Sequence, residues 1–67
     1  MEEIDAWLGR DKNEELWVYT LLPYKYLGDQ WKCYEGCRCM KLNPNLFPEV
    51  QWSDEEPTEV KLIIVKQ

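Results

Sequence analysis

The sequence predicts a small all-β domain, and three observations carry that prediction. Short runs of aromatic and β-branched residues alternate with turn residues along the chain. Pro44, Pro48 and Pro57 are spaced so closely that no long helix fits between residues 43 and 57. Four Trp, four Tyr and one Phe in 67 residues provide the large side chains that a short chain needs for one core. We therefore expect a single domain over residues 1–67, with residues 1–4 frayed.

Two strands are predicted in the first third of the chain. Residues 6–10 form the first strand, and a polar turn follows in which Asn13 tolerates the left-handed conformation of a tight reversal. Residues 16–22 form the second strand, which is rich in aromatic and β-branched side chains. Because this segment is apolar on both faces, we expect it to be central in a sheet or covered on both sides. Pro23 ends the strand, since proline cannot donate a hydrogen bond to the ladder.

A β-hairpin is predicted in the middle of the chain. Residues 24–29 are expected to form a loop that Gly28 and Asp29 close. Residues 30–34 and 37–42 then pair around a turn at Glu35 and Gly36, where the glycine supplies the positive φ that such turns require.

The last third of the chain is predicted to combine an irregular segment with a final strand. Asn43 is suited to cap a single helical turn that begins at Pro44. The side chains expected to pack this turn beneath the sheet are Leu46, Phe47, Val50 and Trp52. Residues 58–66 form the last strand.

About five short strands, with one short helical turn before the last, describe a meander or an SH3-like, partly open barrel. The barrel analogy concerns architecture and implies no function. The alternative architecture is a sheet of three or four strands that packs a longer helix.

The composition excludes several classes of function. The chain has no histidine, which excludes a Ser-His-Asp triad, a Cys-His pair and an imidazole metal ligand. Its 13 acidic and 8 basic residues give a net charge of −5, which opposes binding to nucleic-acid phosphates. Adjacent glutamates on a strand point apart and form no general acid-base pair, so we expect no enzyme and no cofactor. The N-terminus lacks signal-peptide character and the apolar runs are too short to cross a bilayer, so we expect a cytoplasmic protein without a membrane partner.

Three cysteines, Cys33, Cys37 and Cys39, lie close together in the sequence. A structural zinc site has four Cys or His ligands, so these thiols would need Asp29 or Glu35 to complete one. In the predicted hairpin, a three-residue loop brings Cys33 opposite Cys37 and permits a disulfide, whereas a two-residue loop turns the two side chains to opposite faces. We expect three free thiols, with the disulfide and the metal site as alternatives.

Acidic residues are concentrated near the C-terminal end of the chain. The carboxylates between residues 49 and 59, with no basic residue among them, are Glu49, Asp54, Glu55, Glu56 and Glu59. This distribution predicts a surface at Asp54, Glu55, Glu56 and Glu59 that binds a basic protein partner. The alternative is an ordinary solvated turn before the last strand.

Aromatic residues offer a second type of binding surface. Tyr24, Tyr26, Trp31 and Tyr34, with Lys25 and Lys32 among them, are suited to stack on bases, sugars or a Pro-rich peptide. The residues predicted to bind single-stranded nucleic acid or a small ligand are Tyr24, Tyr26, Trp31 and Lys32. The alternative is that the tryptophans form the core, with the tyrosines at its rim. The residues of that predicted core are Trp7, Trp17, Trp31 and Trp52.

Four stretches of the chain carry motifs: WLGRDK at residues 7–12, the strand at 16–19, LFPEVQW at 46–52 and DEEPTEV at 54–60. The combination resembles small uncharacterised proteins of gut bacteria and their phages or mobile elements, which share W-x-A-R-D, F-P-E-V-x-W and E-P-x-x-V patterns. The chain differs at Gly9, where the pattern has alanine, and in its cysteine-rich segment. The resemblance covers nearly the whole chain and implies a compact β domain in a phage or mobile-element setting. It implies no catalytic residues, because the family has no assigned activity.

Together these observations predict a non-enzymatic accessory protein that binds a protein partner through its acidic face or through a sheet edge. The alternative is a module that binds single-stranded nucleic acid or a small ligand through exposed aromatic residues, although the net charge disfavours nucleic acid. Pairing of exposed strand edges into a homodimer is a further alternative, because it would enlarge the small core of so short a chain.

Overall fold

The computed structural model describes residues 2–64. Its six strands are β1 (Glu2–Arg10), β2 (Leu16–Tyr19), β3 (Tyr24–Tyr26), β4 (Gln30–Lys32), β5 (Cys39–Leu42) and β6 (Thr58–Ile64). Four of them form an antiparallel sheet in the order β5-β2-β1-β6, while β3 and β4 form a separate two-stranded hairpin. The predicted all-β class is confirmed.

The finer predictions of the architecture are not supported. The four-stranded sheet is open and its strand order is not sequential, so the chain does not form a meander, and the SH3-like analogy gains no support. Over residues 2–64 there is no helix, which excludes both the single helical turn and the alternative of a sheet packed on a longer helix. It follows that no helix in this part of the chain has the length and apolar character of a membrane span.

The central strand of the sheet was predicted correctly. β2 lies between β1 and β5, as its two apolar faces require. It ends at Tyr19, earlier than predicted. The Thr20 backbone N–H still donates to the Arg38 carbonyl at 3.0 Å, but the Arg38 N–H donates to the Thr20 hydroxyl at 2.8 Å instead of returning the backbone bond. In the turn that joins β1 to β2, Glu14 and not Asn13 takes the left-handed conformation, with φ of 75°.

The N-terminal segment is ordered by pairing, which corrects the expectation that residues 2–4 fray. β1 begins at Glu2, and its first seven residues pair with β6, from Glu2 opposite Ile64 to Leu8 opposite Thr58. The last strand begins at Thr58 as predicted. Its predicted final residues, 65 and 66, and residue 1 lie outside the described residues.

The predicted hairpin between residues 30–34 and 37–42 is wrong. Gly36 does adopt a positive φ of 91° in a turn, yet β4 pairs with β3 and β5 pairs with β2. The hairpin that forms turns at Leu27 and Gly28, which have φ of 52° and 73°. Leucine is an unusual residue for this conformation, so the sequence signal at this turn was weaker than the one at Gly36.

The core of the larger sheet is aliphatic, which corrects the prediction of a tryptophan core. The buried cluster consists of Ala6, Leu8, Leu16, Val18 and Val50. Side chains alternate along a strand, so the face that carries Leu8 and Val18 cannot also carry Trp7 and Trp17. Of the four tryptophans, Trp31 is buried and the others are half-buried.

Residues 43–52 cover this aliphatic face as an irregular loop in place of the predicted helical turn. Val50 is buried as expected, whereas Leu46 and Phe47 are 48% and 42% exposed. The side chain of Arg10 organises the loop by donating hydrogen bonds to its carbonyl oxygens. These acceptors are the carbonyls of Val50 at 2.6 Å, Pro44 at 3.0 Å, Leu46 at 3.0 Å and Phe47 at 3.2 Å. Carbonyls held by a guanidinium need no intrahelical partners, so the loop satisfies them without forming a helix.

Candidate functional site

The β3–β4 hairpin packs on the other face of the sheet, over Gly9. A Cβ atom at Gly9 would lie 2.9 Å from both Cγ and Cδ1 of the Trp31 indole, so the absence of a side chain permits the close approach. Three hydrogen bonds hold the hairpin here. The Trp31 backbone N–H donates to Asp11 Oδ1 at 2.8 Å, the Lys12 N–H donates to the Asp29 carbonyl at 3.0 Å, and the Tyr19 hydroxyl donates to the Trp31 carbonyl at 3.4 Å. The Trp31 indole N–H is buried and has no acceptor among the described residues.

Asp11 is the buried charged residue of the described chain, with 8% of its surface exposed. Burial raises the pKa of its carboxyl above the ordinary value, and the hydrogen bond from Trp31 opposes that shift. The nearby carboxylates of Glu15 and Asp29 raise the pKa further. Asp11 is therefore a structural acceptor whose charge is costly to keep.

A groove of about 600 Å³ runs between this hairpin and the segment that enters β6. Its walls combine apolar, aromatic and acidic side chains. The lining residues are Trp7, Leu22, Pro23, Tyr24, Lys25, Trp31, Glu55, Glu56, Pro57 and Glu59. This groove is the candidate functional site because it brings together parts of both surfaces predicted from the sequence.

Three of the four predicted acidic residues line the groove. Glu55, Glu56 and Glu59 are exposed along its wall. Asp54 has a different role, since its Oδ2 atom accepts a hydrogen bond from the Gln51 backbone N–H at 3.0 Å and stabilises the turn before them. The predicted acidic surface therefore reduces to three carboxylates in this groove.

The strand register adds residues that the sequence analysis missed. Trp7 lies opposite Glu59, so its half-buried indole shares a face with that carboxylate. On the same face, Asp5 lies opposite Lys61, and Lys61 Nζ lies 3.8 Å from Asp5 and 3.7 Å from Glu3. The acidic surface therefore continues from the groove along β1. Trp7, Asp5 and Glu3 were not predicted as part of this surface, because the β1–β6 pairing that brings them to it connects opposite ends of the chain.

Lys25 shows how the aromatic side chains of this region accommodate a cation. Its Nζ atom lies 4.3 Å from the ring centroid of Trp52 and 5.4 Å from that of Trp31. The same ammonium donates a hydrogen bond to the Trp52 carbonyl at 2.7 Å. The two indoles meet edge to face, with centroids 6.4 Å apart. An ammonium between two indoles and a carbonyl is a favourable cation–π arrangement.

The predicted aromatic surface is divided between the two faces of the hairpin. Trp31 points inward and is only 5% exposed, so it is not available for stacking on a base. Tyr24, Tyr26 and Lys32 lie on the outer face, where Lys32 Nζ is 4.7 Å from the Tyr26 ring centroid. Tyr34 extends this face, with its ring centroid 4.8 Å from that of Tyr24.

All three cysteines are free thiols. Burial raises the pKa of Cys33 to about 12, and its hydrogen bond to Cys37 adds to that shift. Burial alone would also raise the pKa of Cys37. Hydrogen bonds from Cys33 and from the Leu21 and Thr20 positions outweigh burial and lower that pKa below its ordinary value. No group of His, Cys, Asp or Glu side chains within residues 2–64 is arranged to hold a metal ion, the predicted alternative at Cys33, Cys37 and Cys39 included.

Comparison with protein families, with curated proteins and with solved structures finds no match to this chain.

Proposed function

We propose that the protein binds a basic segment of a protein partner in the groove between the hairpin and β6, and that it catalyses no reaction. The observation that carries the proposal is that Glu55, Glu56 and Glu59 line the same groove as Trp7 and Tyr24. A lysine or arginine side chain could place its charge at the carboxylates and its apolar stem along the aromatic rings.

Charge favours a basic ligand over an acidic one in this groove. The three glutamates have no ion-pair partner among the described residues, whereas Lys25 is held between Trp31 and Trp52. A basic segment would therefore find unpaired carboxylates beside the apolar and aromatic residues of the groove. Complementary charge of this kind accelerates association and weakens as salt screens it.

The phage or mobile-element setting that the motifs predict is part of this proposal. An accessory protein of a phage or mobile element acts by contacting another protein, and a groove for a basic segment suits that role. The neighbouring genes test this part, because the proposal expects phage or mobile-element genes beside the gene for this chain.

Titration with a short oligo-arginine peptide, followed by tryptophan fluorescence, tests the binding proposal directly. The half-buried Trp7 in the groove is the reporter. We expect saturable binding that weakens with added salt, and about two- to thirtyfold weaker affinity in the double variant E55Q/E56Q, since each of two exposed charge pairs is worth about 0.2–1 kcal/mol.

The matched control is the double variant E35Q/E49Q, which removes the same charge at exposed positions outside the groove. We expect this control to retain nearly the affinity of the unchanged chain. Equal weakening by both double variants would show that net charge alone attracts the peptide, and the groove proposal would then be wrong.

A second candidate function rests on the outer face of the hairpin. Tyr24 and Tyr26 are 36% and 39% exposed there, and Tyr34 is 64% exposed, with Lys32 beside Tyr26. Such a face is suited to stack on the bases of single-stranded nucleic acid. In the same fluorescence assay with oligothymidine, the double variant Y26A/K32A should abolish any quenching. The groove proposal is favoured because the acidic residues adjoin Tyr24.

A further inference from the structure

The outer edge of β6 is the longest unpaired strand edge of the larger sheet. β6 spans the seven residues Thr58–Ile64 and pairs with β1 along one side. On its other side, no strand of the described chain pairs with it, and no other backbone–backbone hydrogen bond in residues 2–64 involves it. Such an edge presents N–H and C=O groups ready to pair with another chain.

The charges along β6 are self-complementary in one antiparallel register. Glu59 and Lys61 are exposed and lie on the same face, two residues apart. A two-fold axis at Val60 places Glu59 of each copy opposite Lys61 of the other. An axis at Lys61 would place two ammonium groups opposite each other, and an axis at Glu59 would oppose two carboxylates. Because like charges directly opposite are destabilising, the register centred on Val60 is favoured.

The other face of the same register brings apolar side chains together. Val60, which packs against the aliphatic core, would lie opposite Val60 of the second copy. Leu62 and its cross-strand neighbour Ile4 are 36% and 38% exposed in one chain. In the pair, Leu62 would lie opposite Thr58 of the second copy, so this exposed apolar row would continue into the second sheet. The charges therefore select the register centred on Val60, and in that register the apolar row also continues from one copy into the other.

We propose that two copies of this chain associate through antiparallel pairing of their β6 edges, centred on Val60, into one continuous eight-stranded sheet. Glu59 of each copy then lies beside Lys61 of the other, which already contacts Asp5 of its own chain. In the dimer, Glu55 and Glu56 remain as the unpaired carboxylates of the groove. The β5 edge offers no equivalent, because the short segment Cys39–Leu42 has one charged residue, Lys41. The groove is tested by variants at Glu55 and Glu56, whereas the dimer is tested by variants at Glu59 and Lys61. A result that overturns one proposal therefore does not overturn the other.

Sedimentation of the full chain and of two single variants tests the pairing. The unchanged chain should sediment at twice the 8.1 kDa of one copy. E59K places a second ammonium group opposite Lys61, and K61E places a second carboxylate opposite Glu59, so each variant alone should associate at least about tenfold more weakly. An equimolar mixture of the two variants restores opposite charges when one copy of each pairs, and it should associate as strongly as the unchanged chain.

Each outcome of this experiment either supports or overturns the proposed pairing. Recovery of the dimer in the mixture supports both the edge and its register, because separately prepared variants share no other complementary change. A monomeric unchanged chain would overturn the proposal, and so would a mixture that stays as weakly associated as its components. Tryptophan emission of each variant shows whether it is folded, and L62K, which adds a charge to the apolar face of the same edge, provides an independent disruption with the same expected loss.

Discussion

The two segments that cover the larger sheet differ in how they are held to it. On the aliphatic face, residues 43–52 have no regular structure and depend on the Arg10 guanidinium, which donates to four of their carbonyl oxygens. On the opposite face, the β3–β4 hairpin has its own ladder and is attached by a few single hydrogen bonds, among them the one from Trp31 to Asp11, and by close packing over Gly9. Adjacent residues at the end of β1 thus organise opposite sides of the sheet.

The difference shows what each kind of backbone requires from the rest of the chain. An irregular loop leaves carbonyl groups without partners, so one long side chain with several donors can determine its conformation. A hairpin satisfies most of its backbone groups internally, so its attachment depends on packing and on single hydrogen bonds. Substitutions at the end of β1 can therefore separate the two modes of attachment.

The largest expected effect is at Arg10. R10A removes the four hydrogen bonds that Arg10 donates to the loop and leaves the Val50 carbonyl without its partner, so the free energy of unfolding should fall by about 2–4 kcal/mol. R10K should restore only part of this, because an ammonium cannot reproduce the spread of donors on a guanidinium. Urea unfolding followed by tryptophan fluorescence measures both variants.

The control for this prediction is R38K, at an exposed arginine whose side chain has no hydrogen bond or ion pair among the described residues. We expect the free energy of unfolding of R38K to stay within about 0.5 kcal/mol of the unchanged chain. Similar losses in R10A and R38K would refute a special role for Arg10.

The next largest effect tests the packing of the hairpin. G9A adds a Cβ that would meet the Trp31 ring at 2.9 Å, and moving the indole should cost about 1–3 kcal/mol of stability. The cost should disappear when Trp31 is already alanine, so W31A and G9A/W31A should have the same free energy of unfolding. G36A serves as a comparison in which the added Cβ meets no atom within 4 Å. Any loss of stability in G36A would therefore come from backbone strain at its φ of 91° and not from a steric contact.

A smaller effect concerns the hydrogen bond of the hairpin to Asp11. D11A leaves the buried backbone N–H of Trp31 without an acceptor, which should cost about 1–2 kcal/mol. D11N keeps an acceptor oxygen and removes the buried charge, so it should match or exceed the stability of the unchanged chain at neutral pH. If D11N loses as much stability as D11A, the charge itself would be required and this explanation would be wrong.

The pH dependence sharpens the same prediction. Because burial raises the pKa of Asp11, the folded chain binds this proton more tightly than the unfolded chain does. The contribution of Asp11 to stability therefore increases as the pH falls through its folded pKa, and the gain is complete below the unfolded value. Glu15, whose pKa is lowered by hydrogen bonds to Lys41 and Asn13, acts in the opposite sense. The difference between D11N and the unchanged chain, measured at several pH values, isolates the Asp11 contribution.

Much of the fold and part of the site could be predicted from local signals. The all-β class, the central position of β2 and the start of β6 at Thr58 all follow from apolar alternation and turn residues. The acidic residues of the groove were also predicted, from the run of carboxylates between residues 49 and 59. Residues 24–29 were predicted as a loop closed by Gly28 and Asp29, so the strand β3 at its start was missed, and that error assigned β4 to the wrong partner.

The sequence by itself determined the all-β class, five of the six strand segments and where the charge is concentrated, because backbone conformational preference and side-chain alternation are local properties. The tertiary structure alone decided which strands pair and which residues meet in the groove. Those outcomes depend on contacts between distant residues: Arg10 with Val50, 40 positions apart, and Asp11 with Trp31, 20 positions apart. Register and face are set by such contacts, since shifting a strand by one residue turns every side chain to the opposite face.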